Sequence, residues 1–135
     1  MQLSRVILMV KIEVSYGELF DKISILEIKK TKLKNKNDIR KVTFELNLLI
    51  NALQKSNFDY NGVAKLKNKL KKVNLQLWDI EDKIRDKERL NSFDKEFIEL
   101  ARNVYKTNDI RSKIKNEINI QLKSQVCEVK SYQKY

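Results

Sequence analysis

Seven apolar residues, Val63, Leu66, Leu70, Val73, Leu77, Ile80 and Ile84, recur at alternating steps of three and four in a chain that contains no proline. This spacing sets all seven on one stripe of a continuous helix, predicted over Val63 to Leu90 and about 42 Å long at 1.5 Å per residue. A stripe of that length has to be covered by other helices. The sequence therefore predicts an all-α fold, an antiparallel bundle of four to five helices around a long heptad-patterned, coiled-coil-like member.

The other helices follow from local signals. Ser15-Tyr16-Gly17-Glu18 reads as a capping box opening a helix over Tyr16 to Leu33. Its apolar positions occupy more than one stripe, which predicts a central place in the bundle. Asp38 is the expected N-cap of a second helix carrying Val42, Leu46, Leu49, Ile50 and Leu53. The reversal Asn57 to Gly62 holds Asn, Asp and Gly, which tolerate a left-handed backbone. A fourth helix is expected from Asn91-Ser92, with Thr107-Asn108-Asp109 as a break or cap that would create a fifth. Lys11 to Val14 and the Val126 to Lys130 stretch alternate as strands do, and the expectation is a minor two-stranded β-pair joining the chain ends.

At 135 residues the chain is expected to form one helical domain. A single cysteine, Cys127, excludes an internal disulfide and points to a reducing, cytoplasmic compartment. With no histidine, the commonest general base and transition-metal ligand are missing, so any metal would be a hard ion on carboxylates. The apolar run Val6 to Val10 is too short to span a membrane.

The formal charge of +11 raises the question of a polyanionic partner. Lysine supplies 23 of the 29 cations, and its enrichment together with Asn and Ile matches the codon bias of an AT-rich genome. Arginine, which forks onto phosphate and guanine, occurs six times. From sequence alone the expectation is against a nucleic-acid partner and against a membrane. The basic residues Lys29 to Lys41 are expected to lie beside the acidic turns Asp79 to Glu88, through an antiparallel hairpin of the second and third helices.

Two polar constellations carry chemical candidates. In the first, Glu18, Asp21 and Lys22 on the first helix join Trp78, Glu81, Asp82 and Arg85 on the third. Carboxylates at these helical spacings could hold Mg²⁺, with Glu18, Asp21, Glu81 and Asp82 as ligands. In the second, Arg102, Tyr105, Asn108, Arg111 and Lys115, with Asp109 among them, could take a carboxylate or phosphate group. The bland alternative is helix decoration by ion pairs, with Trp78 as a core or interface plug.

The run Lys11 to Lys29, which contains Glu13-Val14-Ser15-Tyr16-Gly17-Glu18-Leu19-Phe20-Asp21-Lys22, resembles the N-terminal signature of a family of small bacterial and phage-encoded proteins of unknown function. Leu77 to Arg85, Phe97 to Asp109 and Glu128 to Tyr132 fit the same family. The resemblance implies a small helical domain, transfers no catalytic role, and supports Met9 as the family-like start with residues 1 to 8 as an extension. The functional expectation is a noncatalytic protein-binding or assembly module without a cofactor, with a homodimer as its assembly. The alternatives are a small enzyme or sensor for an anionic metabolite using carboxylate-bound Mg²⁺, and a weak nucleic-acid binder.

Overall fold

The computed structural model describes residues 9–124, 129 and 131. Residues 1–8, and residues 126–128 and 130 of the expected β-pair, lie outside them. Four helices follow one another: α1 (Tyr16–Lys32), α2 (Lys36–Lys55), α3 (Ala64–Arg89) and α4 (Lys95–Gln121). No strand forms among the described residues. Residues 9–14 carry no strand pairing, with Ile12 75% and Val14 38% exposed.

Caps set the helix ends. Ser15 Oγ accepts from the Glu18 N–H at 3.1 Å, the serine half of the expected capping box, while the Glu18 carboxylate accepts from Lys115 of α4. The second helix starts earlier than expected: Asn35 is its cap, accepting from the N–H groups of Asn37 and Asp38. Asp38 instead sits in the first turn, where its charge complements the helix dipole. Asn91 and Ser92 close α3 rather than open α4. Asn91 takes the left-handed φ of 50°, and Ser92 N–H donates back to Lys87 O. Asp94 caps α4 through the Phe97 N–H. That helix runs unbroken through Thr107 to Asp109, a segment with no glycine or proline to interrupt it, so the bundle has four helices and not five. The reversal before α3 uses no left-handed residue. A Cβ at its Gly62 would meet only the tip of the exposed Gln121 side chain, which can swing aside, so the turn does not demand glycine for space.

Helix pairing differs from the expected order. The long antiparallel hairpin is α3–α4, closed at Leu90 to Asp94. α1 lies against all three other helices, as its two-sided apolar pattern predicts, whereas α2 approaches only α1 closely. The expected α2–α3 hairpin is therefore absent. Among the described residues no ion pair joins Lys29 to Lys41 with the acidic turns of α3; Glu81 and Asp86 pair with Arg85 and Arg89 of their own helix.

The core sits at one end of the hairpin. Phe20, Ile23 and Leu26 of α1 meet Leu46 and Leu53 of α2, Val63, Leu70, Val73 and Leu77 of the seam, and Ile114 and Ile118 of α4. Phe58 closes this region edge-on against Phe20 at a centroid distance of 5.8 Å. Each such buried side chain contributes about 1.5–3 kcal/mol. Beyond Leu77 the seam residues Ile80 and Ile84 are only half-buried. The molecule thus has a four-helix head and a two-helix arm.

Candidate functional site

The head encloses a polar cluster where α1 crosses the α3–α4 hairpin. Asp21 faces inward from α1 with its side chain 4% exposed. Asn74 Nδ2 donates to Asp21 Oδ1 at 2.9 Å and to Ser24 Oγ at 2.7 Å, while the Ser24 hydroxyl donates to the Asp21 carbonyl. From α4, Lys115 Nζ donates to Glu18 Oε2 at 2.8 Å and stands 3.8 Å from Asp21 Oδ2. Arg111 Nε lies 3.8 Å from Asp21 Oδ1. One turn earlier on α1, the Gly17 N–H donates to Asn119 Oδ1 at 2.7 Å and the Tyr16 N–H to Ser124 Oγ at 3.1 Å.

The approach of α1 to α4 is set by Gly17. A Cβ there would fall inside contact distance of the Lys115 carbonyl oxygen and 2.9 Å from Asn119 Oδ1. Glycine lets the two backbones meet, and the exposed helix-start N–H finds a partner across the interface instead of water. Two carboxylates are matched by two cations, so the cluster is closed in charge. This is what a buried polar group requires to be tolerated.

The sequence candidates are regrouped by this geometry. Glu18 and Asp21 from the first constellation join Arg111 and Lys115 from the second. Lys22 points to solvent. Asp82 lies eight residues beyond Asn74, about 12 Å along α3 by helical rise, and it is exposed on the arm with Arg85. Glu81 and Arg85 approach each other at 4.0 Å, and Trp78 is half-buried at the head–arm boundary. Arg102 sits farther along α4, 3.8 Å from Glu99 and held above its usual pKa by the Tyr105 hydroxyl; Asn108 and Asp109 are half-buried on the same helix.

Among the described residues no three Asp, Glu, Cys or His side chains are grouped to share a metal ion. A Mg²⁺ at Glu18 and Asp21 would have to displace the Lys115 ammonium. The arrangement does one thing well: it fixes the register of α1 on the hairpin through directional bonds.

Asn74, Ser24 and Asn119 belong to the cluster and are absent from both sequence constellations. A faint signal exists for two of them. Asn74 directly follows Val73 between Leu70 and Leu77 of the seam, and Ser24 interrupts the apolar run Ile23 to Leu26. A polar residue set into an apolar helix face requires a partner. Asn119 carries no comparable mark.

The fold and the closed cluster define a small all-helical domain held by a polar lock between its first helix and a long helical hairpin. The chain belongs to the Family of unknown function (DUF6165), whose model matches residues 10–135. No curated protein and no solved structure matches it. No helix among the described residues is long and apolar enough to cross a membrane.

Proposed function

We propose that this chain is a noncatalytic assembly module that self-associates through the α3–α4 arm. The observation that carries the reading is the arm's unfinished seam. Between Trp78 and Arg111 no side chain is fully buried, yet Ile80, Ile84, Phe97, Leu100 and Val104 stand at seam spacing and remain half-exposed. Phe93, Ile98 and Tyr105 add exposed apolar surface, with Phe93 edge-on to Phe97 at 5.2 Å. A two-helix hairpin covers only one side of each stripe. A second copy's arm, packed antiparallel, would complete a four-helix bundle with two-fold symmetry.

Charge supports a second copy as the occupant. Residues 78–109 carry seven cations and nine carboxylates, net −2, in a chain of net +11, so the rest carries +13. Two arms can approach with little repulsion, whereas two heads cannot. The closed polar cluster of the head favours this reading over an anionic-metabolite enzyme.

Light scattering at tens of micromolar should give twice the 16.1 kDa chain mass. Phe97→Asp combined with Leu100→Asp should return the protein to a folded monomer. A strict monomer for the wild type at high micromolar concentration overturns the proposal.

A further inference from the structure

Cations crowd the α1–α2 reversal. On the arm, four of seven cations, Arg85, Lys87, Arg89 and Arg102, have a carboxylate within 4.0 Å, and nine carboxylates are interspersed with them. At the α1–α2 reversal, Lys30, Lys32, Lys34, Lys36, Arg40 and Lys41 are all exposed, and none has a carboxylate partner among the described residues. One acidic residue, Asp38, lies among them. Unpaired lysines occur elsewhere too, Lys65, Lys69, Lys72, Lys83 and Lys95 among them; what marks the reversal is six exposed cations against one carboxylate within residues 30–41.

The outer face of α2 continues this surface. At about 100° per residue, Asn37, Arg40, Lys41, Phe44, Leu48 and Lys55 fall on one stripe, opposite the buried Leu46 and Leu53, and no carboxylate falls on it. Phe44 stands 62% exposed in the middle. α2 packs on α1 alone, so this face meets no other helix.

We infer that the α1–α2 reversal and the outer face of α2 form a nucleic-acid-binding surface. The unpaired cations supply phosphate contacts and counterion release, and the positive end of the α2 dipole lies among them. Asn47 and Asn51 follow Phe44 by one and two turns on the same side of the helix, offering amide donors and acceptors for base edges beside an aromatic ring for base contact. An anionic membrane fits less well, because a helix lying in a lipid interface sinks a broad apolar face and here amides interrupt it.

The test is fluorescence anisotropy of the full chain against a labelled 30-base-pair DNA duplex and a 30-nucleotide RNA, with phosphatidylglycerol vesicles in parallel. If four cations engage phosphates, affinity should fall about 150-fold between 50 and 200 mM KCl. Lys34→Glu with Lys41→Glu should weaken binding at least about tenfold. Lys83→Glu with Lys95→Glu changes net charge equally on the arm and should cost less than about threefold. Phe44→Ala, at an exposed position, should weaken binding by about fivefold or more without lowering stability. Binding to one nucleic acid over the other assigns the strand type. No binding at 50 mM KCl, equal effects of the two charge-swap variants, or capture by vesicles alone overturns the inference.

Discussion

Head and arm are built from the same two helices, and the same seam runs through both. In the head, Leu70, Val73 and Leu77 are buried because α1 and the C-terminal half of α4 close over them. In the arm, Ile80 and Ile84 carry the pattern onward but are only half-buried. The head also places its charges inside, in a cluster of directional bonds, whereas the arm keeps its charges at the surface in short-range pairs of the kind worth little individually. A periodic apolar pattern therefore specifies a helix face without specifying what covers it. What distinguishes the two regions is cover: the bonds of α1 to α3 and α4 fall on the head, at Lys71, Asn74, Arg111, Lys115 and Asn119.

The contrast can be broken most directly by equal truncations on the two sides of the boundary. Leu70→Ala should cost about 4 kcal/mol in urea unfolding, since it empties a fully enclosed site, while Ile84→Ala in dilute protein should cost less than about 1.5 kcal/mol. Equal losses would mean that the arm is as well packed as the head. Lys115→Met keeps the stem and removes the charge, leaving Glu18 and Asp21 facing each other with Arg111 as the remaining cation; a loss of about 3 kcal/mol is expected. A neutral outcome would show that the polar lock adds nothing to the head.

The smallest effect belongs to the arm's tip. The Phe97 N–H, with Lys87 beside it, holds the Asp94 carboxyl below its usual 3.8, at about 2. Because the folded value is depressed, this group stabilises the closed tip above pH 3.8, and the contribution is lost as pH falls toward 2. Asp94→Asn keeps a capping side chain but should flatten amide-exchange protection at the tip across that window. An unchanged acid profile would assign the tip's stability to packing alone.

The fold is legible in the sequence where the signal is local. Ser15 and the two-sided apolar pattern of α1 report a start and a central position because both are properties of one helix. The seam is legible for the same reason. Helix pairing is not, because α3 chooses between α2 and α4 by surface fit: Ile114 and Ile118, some forty residues further on, complete its stripe. The candidate site shows the same limit. Spacings of three and four place Glu18 above Asp21 but are silent on which helix faces them, so Arg111 and Lys115 read as a separate patch. Asp82 and Arg85 sit two to three turns of α3 beyond Asn74, the residue that meets Asp21.

The bonds that secure α1 have a consequence in time. Its partners Ser124, Asn119 and Lys115 lie 108, 102 and 97 residues away along the chain. At about 5–20 residues per second of synthesis, α1 waits roughly 5–20 s for the helix that satisfies it. Through that interval the Tyr16 and Gly17 amides have only water as partners, and Asp21, which Asn74 can reach sooner, still lacks its cations. The hairpin of α1 and α2 is thus made well before the turns of α4 that secure it, and the arrival of those turns is what locks α1 in place.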